Sequence, residues 1–217
     1  MPASAPSLVW YASYGSNCSR PRFLTYLRGG RPPGSDWEQL GARDPSDPLE
    51  DGPVEFAQSV CFAGHSPRWG GAPAFLEHRT ATGAGALGRR YLITREQFAD
   101  VLAQESRRPI GSLDLPDLDA LTAGDRTVVG DSFYDALVIL DPVDGVPCVS
   151  FTSPAAPEQR EPTAPSEPYL RTIVTGLADI HPLDATTIAR RICDAPGVAP
   201  TWDLESVLEL IHRGEPR

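Results

Sequence analysis

The sequence predicts an α+β protein with one principal core. Two observations carry this. Short apolar runs of strand character recur from Val9 to Thr152, and amphipathic helical stripes follow from Ser166 onward. The chain has 217 residues, enough for one domain with a full core. Residues 1–7 read as a frayed tail, 8–181 as the main domain with a loop insertion at 31–53, and 182–217 as a helical extension packed on that domain.

The elements follow in order. Val9 to Tyr14 is apolar and aromatic and reads as a strand. Ser19 caps a short helix over Arg20 to Leu27, which Gly29-Gly30 stops. Residues 31–53, rich in Pro, Gly and Asp, form a long excursion. Val54 to Phe56, Val60 to Phe62, Ala74 to Glu77 and Gly85 to Ile93 have strand character, with a turn at Trp69-Gly70-Gly71-Ala72. Thr94 and Gln97 fit a capping box that opens a helix to Glu105. Leu113 to Leu121 reads as a short helix. Ser132 to Leu140 and Pro147 to Thr152 read as strands around a turn at 142–145. Ser166 caps a helix whose stripe is Leu170, Ile173, Val174 and Leu177, and helices over Asp184 to Cys193 and Asp203 to Arg213 close the chain.

Composition narrows the function. A net charge of −10 speaks against nucleic acid and anionic membrane surfaces as partners. No apolar run is long enough to span a bilayer, and Met1 to Leu8 lacks the basic and apolar regions of a signal peptide, so a cytoplasmic location is expected. The four cysteines share no metal-ligand spacing, and the four histidines form no HExxH pair, so no metal is expected. There is no G-x-S-x-G for a serine hydrolase. All 19 basic residues are Arg, and Asn17 is the only Asn, the bias of a GC-rich genome.

Two places carry candidate chemistry. Tyr14-Gly15-Ser16-Asn17 follows the first strand. Gly15 can take φ > 0, and successive N–H groups in such a turn form a nest for a carboxylate or an oxyanion. An ordinary strand-to-helix turn is the competing reading. The second place is Glu105. Phe98, Val101 and Leu102 form one stripe, and Glu105 continues it at the next helical turn. Burial raises a carboxyl pKa toward the range of a general acid/base; alternatively Glu105 closes the helix at its rim, paired with Arg107 or Arg108. Cys18 reads as a small packing residue.

With these residues in place the chain resembles the gamma-glutamylcyclotransferase family. The resemblance lies in the Tyr14-Gly15-Ser16-Asn17 loop, the Gly70-Gly71 turn, the strand and helix leading to Glu105, a strand Tyr at 134, and the Ser166-x-x-Tyr169 helix start. It implies a small mixed β-barrel flanked by helices, with C-terminal helices. It also implies a cofactor-independent enzyme of lyase or acyltransferase type that releases 5-oxoproline from γ-glutamyl amines, peptides or metabolites. On this resemblance Glu105 is the catalytic acid/base. The backbone of Gly15, Ser16, Asn17 and Cys18 holds the glutamyl group, and Tyr14, Gly71, Tyr134 and Tyr169 line the pocket. Aromatic packing is the competing role for Tyr134 and Tyr169. The family places Gly after the Glu, whereas this chain has Ser106 followed by Arg107-Arg108, which either bind an acidic leaving portion or form a solvated helix end. The insertion and the C-terminal helices serve as a lid or as a homodimer face; the sequence does not choose. Two further readings stand: an amide-cleaving or amide-forming enzyme on a larger natural product, and a barrel that binds a small acidic metabolite without turnover.

Overall fold

The computed structural model describes residues 7–32 and 37–214. Residues 1–6 of the expected tail lie outside this range, but Ser7 is tied down: its carbonyl accepts the Arg95 N–H at 2.9 Å. In chain order the elements are β1 (Leu8–Ser13), α1 (Arg20–Arg28), β2 (Glu50–Glu55), β3 (Gln58–Phe62), β4 (Ala74–Thr80), β5 (Leu87–Thr94), α2 (Arg95–Glu105), β6 (Arg126–Val128), β7 (Ala136–Val143), β8 (Val146–Thr152), α3 (Glu167–Ile180), α4 (Ala185–Cys193) and α5 (Leu204–Gly214).

Six strands form one mixed sheet in the order β2-β5-β1-β8-β7-β6, and β3 pairs with β4 in a separate two-stranded sheet. β1 runs parallel to β8, with Trp10 opposite Cys148, and β8 runs antiparallel to β7. The α+β class holds, but the expected barrel does not close. The six-stranded sheet keeps β2 and β6 as edges. β6 is only three residues long and β2 contains Gly52-Pro53, both features that blunt an edge rather than extend pairing.

The described residues divide into two compact units of interleaved segments, residues 7–12, 24–32, 37–51 and 90–154, and residues 13–23, 52–89 and 155–214. The first unit is built around Tyr11, whose ring lies 5.4 Å from Phe151 and 5.7 Å from Phe98. Phe98, Val101 and Leu102 are buried, as the stripe on α2 requires. The capping box is present in both directions: Thr94 Oγ1 accepts the Gln97 N–H at 3.1 Å and Gln97 Oε1 accepts the Thr94 N–H at 3.0 Å.

Much of the long excursion is strapped to α2. Asp100, fully buried, accepts the Arg43 N–H at 2.9 Å, the Arg43 guanidinium and the Gly111 N–H. Gln97 Nε2 donates to the carbonyls of Asp44 and Ser46. Three expectations are corrected in this unit. The excursion ends in strand from Glu50, residues 113–121 form only a 3-10 turn at Leu118–Ala120, and β7 begins at Ala136, so Ser132 to Asp135 is a turn.

The second unit holds β3 and β4, α3 to α5 and the loop after β1. α3 buries Leu170, Ile173, Val174 and Leu177, the stripe read from sequence. Segments on either side of β3 bind its end: Phe62 donates to the Pro196 carbonyl and accepts from the Thr163 N–H.

Candidate functional site

The loop after β1 is a single 3-10 turn, Ser16–Cys18, entered through Gly15. Gly15 has φ −106°, so it does not use the left-handed region. What it supplies is room. A Cβ there would sit 3.2 Å from the Tyr169 hydroxyl, tighter than ordinary contact. Closing the turn commits one expected donor: the Cys18 N–H bonds to the Gly15 carbonyl at 2.9 Å. Cys18 is therefore withdrawn as a backbone ligand. Its thiol is buried, donates to the Ser13 carbonyl, and is pushed up to about 12 by that burial, so it is no nucleophile. The N–H groups of the first turn residues lie outside the turn's own bonding, as at any helix start.

Arg22 holds this loop and was not read from the sequence. It is 4% exposed, and its Nε donates to Ser16 Oγ at 2.8 Å. Its guanidinium lies 4.6 Å over the Trp69 ring, a cation–π contact that is stronger when desolvated. The available signal was positional: Arg20 and Arg22 occupy the first turn of α1, where the helix dipole disfavours cations, so a second interaction was to be sought.

Tyr169 joins the same cluster. Its hydroxyl accepts the Ala74 N–H at 3.1 Å, and its ring packs 4.8 Å from Trp69 and edge-on to Phe62. Packing and hydrogen bonding thus coexist at this residue. Gly71 abuts the start of α3, where a Cβ would lie 2.4 Å from the Ser166 nitrogen. Ser166 has the extended backbone of an N-cap, but its side chain does not cap α3, and its buried Oγ has no hydrogen-bond partner among the described residues. Tyr14 is buried edge-on to Phe56. The second unit therefore brings together Tyr14, Gly15, Ser16, Asn17, Gly71 and Tyr169, with Arg22 and Trp69 added.

α3 approaches this loop through Gly176. A Cβ at 176 would lie 2.4 Å from the Cys18 carbonyl carbon and 2.5 Å from the Ser19 nitrogen. Tyr169 and Gly176 are seven residues apart, so two turns of one helix face meet the loop.

Glu105 and Tyr134 belong to the first unit. Glu105 is half-buried and is the last residue of α2. Tyr134 stands in the turn before β7 rather than on a strand, with its ring 5.6 Å from Phe151 and 5.1 Å from Phe133. Arg108 gives its guanidinium to the buried Asp135, so it is not a solvated cation at the helix end. Arg107 is exposed and adopts φ 55°, the left-handed position that ends the helix and that glycine prefers. Arg107→Gly is expected to stabilise the fold by about 1 kcal/mol, raising Tm by roughly 2–4 °C in calorimetry; a fall in Tm would show that the Arg107 side chain outweighs its backbone strain.

No protein-family model matches the chain. Among curated proteins it is 32% identical over 186 residues, 79% of its length, to histone deacetylase 5 of Arabidopsis thaliana. It spans 28% of that protein. No group of three or more His, Cys, Asp or Glu placed to hold a metal ion occurs among the described residues, and no helix among them is long and apolar enough to cross a membrane. Among solved structures, a gamma-glutamyl cyclotransferase superposes with a TM-score of 0.53 at 13% identity, covering 94% of this chain and 99% of that one. An uncharacterized human protein superposes with a TM-score of 0.52 at 13% identity over the same shares. The chain therefore has the gamma-glutamyl cyclotransferase-like fold.

Proposed function

We propose that the protein is a γ-glutamyl cyclotransferase, releasing 5-oxoproline and a free amine from a γ-glutamyl amine, peptide or metabolite. The observation that supports this most is the order of motifs on this fold: the braced Tyr14 to Asn17 loop, then Glu105 at the end of α2, then Tyr169 on α3.

The chemistry asks little of the protein. The substrate's α-amine attacks its own γ-carbonyl, forming the ring C–N bond, and the bond to the leaving amine then breaks. Both partners are already in one molecule, so the entropic part of the barrier is largely met by the substrate. Glu105 takes one proton from the α-ammonium before attack and a second from the ring nitrogen after it, and passes them in turn to the leaving nitrogen, which departs as an ammonium. Backbone N–H groups of the loop stabilise the tetrahedral oxyanion. Arg22 contributes by fixing Ser16, and no cofactor enters any step.

The test is 5-oxoproline release from glutathione, γ-glutamyl amino acids and γ-glutamyl-alkylamines, with Glu105→Gln in parallel. Release by wild type from at least one of them, lost in the variant, is the expected result. Tight 5-oxoproline binding with no turnover of any compound would favour the metabolite-binding reading.

A further inference from the structure

Glu105 is the last residue of α2, so whatever fixes the following turn fixes the backbone from which its side chain projects. The helix closes with two bonds, Arg107 N–H to the Gln104 carbonyl and Arg108 N–H to the Ala103 carbonyl, the pattern of a Schellman turn. Ser106, which is buried, donates its Oγ to Asp135 Oδ1 at 2.7 Å. Asp135 is fully buried; it also accepts the Ser132 N–H at 2.8 Å and pairs with Arg108. Ser132 Oγ returns a bond to the Ser106 carbonyl at 3.2 Å. Gly130 lies directly over the pair, since a Cβ there would come within 2.1 Å of Arg108 Nη2 and 2.3 Å of Asp135 Oδ2.

Ending a helix does not require this. Glycine at 107 would do so without strain, and a buried ion pair is often no more stable than apolar packing of the same volume. The chain instead combines a left-handed Arg107 with a buried acid. Both partners of the central bond adjoin candidate site residues: Ser106 follows Glu105, and Asp135 follows Tyr134.

We propose that Asp135 is a positioning residue, placing Glu105 through the Ser106 hydroxyl and Tyr134 through its own backbone. This rests on the cyclotransferase reading of Glu105. It also accounts for Ser106, the departure from the Gly that the resemblance would place there: its hydroxyl is one half of the clamp.

Asp135→Asn would leave the Arg108 charge uncompensated and is expected to unfold the turn, so the decisive variants are Ser106→Ala and Ser106→Thr. Ser106→Ala is expected to lower kcat for 5-oxoproline release about tenfold or more with KM within about twofold, because misplacing a catalytic group costs rate rather than binding. Ser106→Thr, which keeps the hydroxyl, restores most of it. Amide exchange at Arg107 and Arg108 should accelerate about tenfold in Ser106→Ala and recover in Ser106→Thr. An unchanged kcat in Ser106→Ala, or a loss that Ser106→Thr does not restore, overturns the proposal. If wild type releases no 5-oxoproline, the cyclotransferase reading fails on its own. Exchange then decides the clamp alone: unchanged protection in Ser106→Ala overturns it as well, and a loss of about tenfold upholds Asp135 as the group that holds the turn after Glu105.

Discussion

Glu105→Gln will lower kcat for 5-oxoproline release by about 100- to 10,000-fold, the range that one general acid/base supplies. Tm should stay within about 2 °C, since Glu105 is half-buried at a helix end and Gln matches its volume. Gln keeps a carbonyl oxygen and can still accept a hydrogen bond. What it cannot do is take the proton from the α-ammonium or return one to the leaving nitrogen. A single carboxylate performs both transfers in the proposed reaction, so its loss affects ring closure and amine expulsion together. KM should change little. A variant that retains more than about a tenth of wild-type kcat would leave no room for an acid/base of ordinary effect and would sink the assignment. Loss of activity together with a large fall in Tm would instead point to a structural role for the carboxyl, which the amide variant separates from proton transfer.

How much of this was legible in the sequence depends on the reach of the interactions involved. The capping box at Thr94 and Gln97 is local, and it stands as read. The α3 stripe is equally local, and all four of its residues are buried. Ser166 shows the limit of that reasoning: the residue type and position fit a cap, yet its hydroxyl does not bond the helix. The sequence reads as strand from Ser132 to Leu140, whereas β7 begins at Ala136 and Ser132 to Asp135 is a turn. The turn is set by Asp135, whose partners Ser106 and Arg108 lie far off in the chain. The excursion at 31–53 reads as a Pro-, Gly- and Asp-rich loop for the same reason. Arg43, Asp44 and Ser46 within it bond Asp100 and Gln97 on α2, which no local pattern announces. Of the candidate site, the loop after the first strand and the helix behind it were readable, while the brace from Arg22 and the close approach of Gly176 required the third dimension.

Gly176→Ala offers a case where two physical effects predict opposite signs. In a helix interior Ala is favoured over Gly by about 1 kcal/mol, so propensity alone predicts a more stable α3. The contact predicts the reverse. The new Cβ would meet three backbone atoms, the carbonyl carbon and oxygen of Cys18 and the nitrogen of Ser19, at 2.4–2.6 Å. A side-chain tip can swing aside, but these atoms belong to the 3-10 turn and to the cap that follows it, held by bonds from Cys18 N–H to Gly15 and from Ser19 N–H to Ser16. Relief therefore requires α3 to shift, and that shift would loosen Tyr169 from Ala74 N–H and Trp69. Overpacking of this kind costs about 1–3 kcal/mol, and with backbone on the receiving side the upper end applies. Net destabilisation of about 2 kcal/mol is expected, a fall in Tm of roughly 4–8 °C. Thr172→Ala, a half-buried change on the same helix whose hydroxyl donates to the Pro168 carbonyl one turn back, should stay within about 1 kcal/mol. If Gly176→Ala melts at or above wild type, the helix does not press on the loop as closely as the structure places it. Tyr169 would then lose its strongest claim to a role in holding Gly15.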